Sequence, residues 1–145
     1  MILPLSDGFS QTLPQVEEMM EGDASSRRII VVEDNADLRE TLGRALVREG
    51  YQVNLASDGA EALCLIRERP YDLAIIDLVM PRMDGLTMLQ ELRGLGLPLP
   101  TIVITAYGDR FSYNRATELG ASEYLVKPVK LVELYRAVRK VLAGG

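Results

Sequence analysis

Residues 29–34 have the sequence Ile-Ile-Val-Val-Glu-Asp, a short branched apolar run that stops at two acids. Similar apolar runs follow along the chain at residues 51–56, 73–76, 101–105 and 124–126. Apolar runs without alternation are typical of parallel strands that are covered on both faces. The sequence therefore predicts five strands.

Between these runs the apolar residues adopt helical spacing. Five such stripes lie within residues 38–46, 62–66, 86–92, 116–119 and 131–142. Gly50 and Gly120 follow two of them as stop signals, and Asp58 with Glu61 forms a capping-box pattern before another. A helix after every strand predicts a doubly wound α/β domain.

Residues 1–27 differ from the remainder, because they contain prolines, glycines and a polar run. We expect an N-terminal extension or linker there, with a short helix possible from Leu13 to Met20, followed by one domain over residues 28–143. A segment that docks on the domain or on a partner is the alternative.

Composition restricts the function further. The chain has 145 residues, 16 basic and 21 acidic, and a net charge of −5, which disfavours direct nucleic-acid binding. No apolar run approaches the roughly 20 residues that span a bilayer, and no signal-peptide pattern is present. With Cys64 as the only cysteine, an internal disulfide is excluded. We expect a cytoplasmic protein that is not inserted in a membrane.

The chain contains no histidine. Histidine-dependent hydrolysis, histidine-ligated zinc and any phosphohistidine carrier are therefore excluded. The available chemistry uses carboxylates, hydroxyls and amines.

Polar side chains follow four of the predicted strands at the point where each strand ends. Glu33 and Asp34 follow the first, Asp77 follows the third, Thr105 ends the fourth, and Lys127 follows the fifth. Because sites in open parallel sheets form beyond the carboxyl ends of the strands, we expect these residues to converge.

Such a group of residues suits one kind of chemistry. Crowded carboxylates repel one another, and a hard divalent cation such as Mg²⁺, which prefers oxygen ligands, relieves that repulsion. A carboxylate can attack phosphorus, and a lysine and a hydroxyl can hold the phosphoryl oxygens. The sequence therefore predicts a magnesium-dependent phosphoryl-transfer site.

Each residue taken alone has an ordinary explanation. Either Asp34 or Asn35 could cap the helix that starts near Ala36, and Asp84 reads as a cap or turn residue. Thr105 could be a plain strand residue and Lys127 a solvated one. The coincidence at one edge of the sheet favours the functional interpretation.

Four segments resemble response-regulator receiver domains of two-component signalling. They are residues 29–35, residues 75–85, residues 103–106 and residues 124–128. The resemblance implies a flavodoxin-like fold with strand order 2-1-3-4-5, as in the chemotaxis receiver.

The same resemblance implies a metal site and a phosphoacceptor. Asp77 would accept the phosphoryl group, and Asp34, Asp77 and the backbone carbonyl of Val79 would bind Mg²⁺ directly. Glu33 would act through a metal-bound water, and Lys127 would pair with the phosphoryl group.

The remaining roles concern the response to phosphorylation. Thr105 would turn to hydrogen-bond the phosphoryl group, the amide of Ala106 would donate to it, and Tyr124 would change rotamer with Thr105. Lys127-Pro128 resembles the family's cis peptide bond. Because Val79 lacks a polar side chain and Tyr107 is bulky, we also predict slow self-dephosphorylation.

The expected function is to take a phosphoryl group from a histidine kinase or histidine phosphotransfer protein, which would dock against the helix carrying Leu38. The chain would switch a surface for an unknown downstream protein, and would catalyse only its own phosphorylation and dephosphorylation. Its state would be a monomer or a weak dimer through the fourth helix, fifth strand and fifth helix. Phe111 and Tyr113 could offer aromatic anchors, or one could pack inward.

Two alternatives stay open from the sequence. The chain could be a receiver-like interaction module that works without phosphorylation, or the receiver fragment of a larger DNA-binding regulator. A small-molecule phosphatase is disfavoured, because Val79 stands where a second acid is usual. A nucleotide-binding protein is disfavoured, because no phosphate-binding glycine loop follows the first strand.

Overall fold

The computed structural model describes residues 27–80, 83–106 and 108–144. Five strands form one sheet, and every pairing is parallel. They are β1 (Arg28–Val32), β2 (Gln52–Ala56), β3 (Leu73–Asp77), β4 (Thr101–Thr105) and β5 (Glu123–Val126). The order β2-β1-β3-β4-β5 confirms the predicted fold.

A helix follows each strand. The five helices are α1 (Ala36–Arg48), α2 (Gly59–Glu68), α3 (Gly85–Gly94), α4 (Arg110–Glu118) and α5 (Leu131–Leu142). The predicted stop signals at Gly50 and Gly120 are confirmed, since both have left-handed backbones with φ of 100° and 89°.

Successive residues of the central strands supply two separate cores. Ile30 and Val32 of β1 pack with α2, α3 and α4 on one face of the sheet, whereas Ile29 and Val31 pack with α1 and α5 on the other. Side chains alternate between the faces of a strand, so a strand that is apolar throughout requires helices on both sides.

Side-chain caps fix where α1, α2 and α3 begin. Asn35 accepts a hydrogen bond from the amide of Leu38 at 2.9 Å, and Asp84 accepts one from the amide of Thr87 at 2.8 Å. Asp58 accepts from the amide of Glu61 at 2.9 Å. The cap prediction for Asp84 is therefore confirmed, and Asn35, not Asp34, caps α1.

Two details differ from the sequence prediction. The Glu61 carboxylate accepts a hydrogen bond from the amide of Ser57 at 2.8 Å, one residue before the cap Asp58. Leu131, expected in the apolar stripe of α5, is 39% exposed, and Val141 is buried on that helix. Leu131 is the first residue of α5.

The predicted extension, including the possible helix from Leu13 to Met20, lies outside the described residues apart from Arg27. Within the part of the chain that the structure describes, no helix is long and apolar enough to cross a membrane.

Candidate functional site

Three acidic side chains meet at the carboxyl edge of the sheet. Val32 of β1 pairs with Ile76 of β3, which places the residues that follow them, Glu33 and Asp77, side by side. One carboxylate oxygen from each of Glu33, Asp34 and Asp77 lies within 4.8 Å of the others. The predicted convergence of these carboxylates is confirmed.

Lys127 completes this group from the far side of β4. Its Nζ lies 2.9 Å from Oδ2 of Asp77 and 3.1 Å from Oε1 of Glu33. Burial acts to lower the pKa of Lys127, but its close contacts with the carboxylates of Asp77 and Glu33 outweigh burial and raise the pKa above its usual value. Lys127 therefore stays charged and partly neutralises the acids.

Glu33 is fully buried, which is unusual for a glutamate. Its Oε2 accepts a hydrogen bond from the amide of Asn35 at 3.0 Å, while Oε1 contacts Lys127 as an ion pair without hydrogen-bond geometry. Burial raises the pKa of Glu33 to about 7; the Asn35 amide opposes this shift, the charge of Asp77 adds to it, and Lys127 opposes it. A buried carboxylate oxygen without a hydrogen bond is available to a metal-bound water.

Asp34 differs from its neighbour because it is exposed to solvent. Since Asn35 caps α1, the carboxylate of Asp34 is not required for capping and lies instead within the acidic group. Because Asn35 is the cap, Asp34 remains able to bind a cation.

Arg39, which no sequence pattern above singles out, also belongs to this region. Its Nη1 donates a hydrogen bond to the backbone carbonyl of Glu33 at 2.8 Å and a longer one to that of Asp34 at 3.4 Å. A cation near the start of a helix opposes the helix dipole, and this was the signal available in the sequence.

Asp77 is held at both carboxylate oxygens. Oδ2 accepts from Lys127, and Oδ1 accepts from the amide of Val79 at 3.0 Å. The start of α3 lies close to the end of β3, because the amide of Gly85 donates a hydrogen bond to the carbonyl of Leu78 at 2.9 Å. The Asp77 side chain is buried, so its orientation is fixed by these contacts.

Thr105 and Ala106 lie at the end of β4, beside Asp77. Thr105 is buried, and its carbonyl accepts a 2.7 Å hydrogen bond from the amide of Lys127. Ile104 pairs with Asp77 in the sheet, so Thr105 is one residue beyond the level of the acid. Ala106 is exposed.

Tyr124 lies on β5, half-buried, and its ring contacts Tyr113 of α4 edge to face at a centroid distance of 5.2 Å. Tyr113 is 50% exposed and Phe111 is 70% exposed, so neither residue packs inward, although the ring of Tyr113 contacts Tyr124. Burial raises the pKa of Tyr124, and the charge of Asp109 adds to the shift.

The Lys127-Pro128 bond is cis, as the sequence suggested. The prediction of slow dephosphorylation rests on two residues. Tyr107 lies outside the described residues. Val79 follows β3 and is 50% exposed.

Comparison with known proteins places these features in a family. Residues 29–139 match the model of the response regulator receiver domain. The response regulator MprA of Mycobacterium tuberculosis is 43% identical over 117 residues, covering 81% of this chain and 51% of MprA. The chain thus spans about half the length of the curated relatives it matches.

Solved structures agree with this match. A CheY-like receiver domain from Methanospirillum hungatei has a TM-score of 0.78 and 27% identity, covering 81% of this chain and 94% of its own. The response regulator TrrA of Thermotoga maritima, solved in complex with Mg²⁺–BeF, has a TM-score of 0.72 and 36% identity, covering 79% and 98%. The chain belongs to the response regulator receiver domain family.

Proposed function

We propose that this receiver domain accepts a phosphoryl group on Asp77 from the phosphohistidine of a histidine kinase or histidine phosphotransfer protein. The observation that carries the proposal is the position of Asp77. Its carboxylate lies in a group of three acids within 4.8 Å and is bonded to Lys127 at 2.9 Å. This arrangement supports the proposal, because Asp77 would supply the nucleophile and Lys127 the positive charge that phosphoryl transfer requires.

In the proposed step, a carboxylate oxygen of Asp77 forms a bond to phosphorus while the phosphorus–nitrogen bond of the donor breaks. The donor imidazole keeps the electron pair of that bond and takes up a proton. The amide of Val79 and the ammonium of Lys127 orient the carboxylate before the attack. Lys127 then pairs with the phosphoryl oxygens, because its Nζ already lies at this edge of the sheet.

The acidic group also fits Mg²⁺. All of the candidate ligands are oxygens, and Oε1 of Glu33 has no hydrogen bond in the structure. Asp34, Asp77 and the carbonyl of Val79 would hold the ion directly, with Glu33 acting through a bound water. When bound, Mg²⁺ neutralises charge on the carboxylates and on the phosphoryl oxygens. The Mg²⁺–BeF complex of the related TrrA supports this assignment.

The response to phosphorylation would begin at Thr105. Its hydroxyl and the amide of Ala106 would hydrogen-bond the phosphoryl group, and Tyr124 would follow the movement of Thr105. The contact between Tyr124 and Tyr113 offers a route from that movement to α4. Phosphorylation would thus bias an equilibrium between two surfaces for a downstream protein.

We propose that the protein is a monomer or a weak dimer, and that the dimer would form through α4, β5 and α5. Two ion pairs within the chain already involve charged residues of this face. Glu118 pairs with Arg115 at 2.7 Å, and Lys140 pairs with Glu123 at 2.9 Å. Charges that are paired internally gain less from pairing with a second copy. We also propose that dephosphorylation is slow, since Val79 cannot orient a water through its side chain.

Beryllofluoride binding tests this proposal against a receiver-like module that works without phosphorylation. Amide spectra of the isotope-labelled protein are recorded with Mg²⁺, with beryllofluoride, and with both. The proposal predicts that the combination shifts the amides of Ala106, Tyr124 and Lys127 beyond any change that Mg²⁺ alone causes, and that Asp77→Asn abolishes this additional shift. Identical spectra under all conditions, or shifts that persist in Asp77→Asn, would favour the phosphorylation-independent module.

A further inference from the structure

Arg39 connects the first helix to the two acids that precede it. It lies near the start of α1, and its Nη1 donates to the backbone carbonyl of Glu33 at 2.8 Å and to that of Asp34 at 3.4 Å. Half-buried, the side chain reaches back over the loop that joins β1 to α1. A guanidinium suits this task, because it is planar, permanently charged and rich in donors.

The loop that carries the acids is held at other points as well. The carboxylate of Glu33 accepts from the amide of Asn35, and the side chain of Asn35 caps α1 through the amide of Leu38. Neither contact involves the carbonyl groups of Glu33 and Asp34. Arg39 provides hydrogen bonds to these carbonyls, and it thereby restrains two consecutive peptide groups, the one that joins Glu33 to Asp34 and the one that follows Asp34.

The charge of Arg39 works against cation binding at this site. A positive charge beside a cation site repels the cation, and a cation in the first turns of a helix opposes the helix dipole. Electrostatics alone therefore predicts that removing this charge strengthens Mg²⁺ binding. The presence of Arg39 at this place is explained if the geometry that it imposes outweighs the repulsion.

We propose that Arg39 is a positioning residue that holds the backbone of Glu33 and Asp34, and through it the exposed carboxylate of Asp34, in the arrangement that binds Mg²⁺. The inference rests on the proposed magnesium site. It adds that the affinity of the site depends on a side chain that does not contact the metal. Partners of metal ligands commonly change metal affinity by about 10- to 100-fold when they are removed.

The test measures the dissociation constant for Mg²⁺ by titration of the full chain, in the wild type, Arg39→Met and Arg39→Lys. Arg39→Met removes the charge and all donors at similar length, and we expect its Mg²⁺ affinity to fall about 10-fold. Arg39→Lys restores a donor and the charge, and we expect it to recover part of the lost affinity.

Arg44→Met is the matched control. Arg44 lies on the same helix, is 65% exposed, and forms a 3.8 Å ion pair with Glu40. Its replacement removes the same charge without touching the loop, so we expect an Mg²⁺ affinity equal to or slightly higher than that of the wild type.

Three results would overturn the inference. The first is an Arg39→Met variant that binds Mg²⁺ as tightly as the wild type or more tightly. The second is a combination of two observations: Arg39→Lys does not recover the lost Mg²⁺ affinity, and Arg39→Met melts at a lower temperature than the wild type without Mg²⁺. A general weakening of the fold would then explain the loss of affinity. The third is a wild type that does not bind Mg²⁺, which would refute the proposed magnesium site as well.

Discussion

The ammonium nitrogen of Lys127 lies 2.9 Å from Oδ2 of Asp77, although β4 separates the strands that carry the two residues. Lys127 spans this distance because it follows β5 directly and its amide is bonded to the carbonyl of Thr105 at the end of β4. The site therefore contains its own counter-charge, which keeps two buried carboxylates together.

Replacement of Lys127 should destabilise the metal-free protein. Lys127→Met leaves the buried carboxylates of Glu33 and Asp77 without their cation, and removing one partner of a buried charge pair costs about 3 kcal/mol. Mg²⁺ should restore a large part of this loss. Urea unfolding with and without Mg²⁺ measures both effects.

Lys140→Met serves as the control for Lys127→Met. Lys140 forms a 2.9 Å ion pair with Glu123, but its side chain is 61% exposed. Exposed pairs contribute roughly 0–1 kcal/mol, so Lys140→Met should change stability little, and Mg²⁺ should not affect the difference. Equal losses in the two variants would contradict the account of Lys127.

Gly85 should tolerate no side chain. A Cβ placed on Gly85 would lie 2.5 Å from the carbonyl oxygen of Asp77 and 2.6 Å from Cα of Leu78. Both are backbone atoms, so Gly85→Ala must displace the end of β3, with a cost of at least about 2 kcal/mol and weaker Mg²⁺ binding. Thermal unfolding and an Mg²⁺ titration check this expectation.

Gly94→Ala provides the comparison within the same helix. Gly94 ends α3, and an added Cβ would meet nothing within 4 Å. Alanine favours helix over glycine by up to about 1 kcal/mol, so this variant should be as stable as the wild type or more stable. If Gly85→Ala were as stable as Gly94→Ala, the backbone of Gly85 could not lie as close to the carbonyl of Asp77 as the structure places it.

The stability of the metal-free protein should depend on pH through Glu33. Burial raises the pKa of Glu33 from 4.5 to about 7, so the folded state holds a proton that the unfolded state releases within this window. Stability should therefore fall as the pH rises from 4.5 to 7 and change no further above it. The loss is roughly 3 kcal/mol at most, at about 1.4 kcal/mol per pKa unit.

Glu33→Gln isolates this contribution from those of other groups. The amide cannot ionise, so the difference in unfolding free energy between wild type and variant should change across that pH range and be constant above it. Mg²⁺ should reduce the wild-type slope, because the ion favours the charged carboxylate. A difference that is independent of pH would contradict the raised pKa of Glu33.

Tyr113 and Tyr124 should be energetically coupled. Their rings meet edge to face at 5.2 Å, and such pairs contribute about 0.5–1.5 kcal/mol beyond burial. A double-mutant cycle with Tyr113→Leu and Tyr124→Leu measures this coupling in the unphosphorylated protein. Phe111→Leu, at a position that is 70% exposed on the same helix, should show no coupling to Tyr124→Leu.

The strands and the convergence of acids could be predicted because both follow from local patterns. A short, continuous apolar run is typical of a buried parallel strand, and the carboxyl ends of such strands share one edge of the sheet. Glu33, Asp77 and Lys127 could thus be brought together before any coordinates were known. The strand order itself came from the resemblance to a family.

The remaining features depend on three-dimensional packing. Asp34 and Asn35 are equally good caps by residue type, and only the direction of the chain after β1 assigns the cap to Asn35. Arg39 reaches backbone carbonyls that have no signature in the sequence. Leu131 has the spacing of a core residue, but its exposure depends on where α5 begins.

Phosphorylation of Asp77 is the claim on which the function depends, and mass spectrometry of the intact protein after incubation with acetyl phosphate tests it most directly. With Mg²⁺ present, the wild type should gain one phosphoryl group in an acyl linkage that hydroxylamine cleaves, and Asp77→Asn should gain none. Equal, magnesium-dependent labelling of Asp77→Asn, or a wild type that is never labelled, would contradict the account.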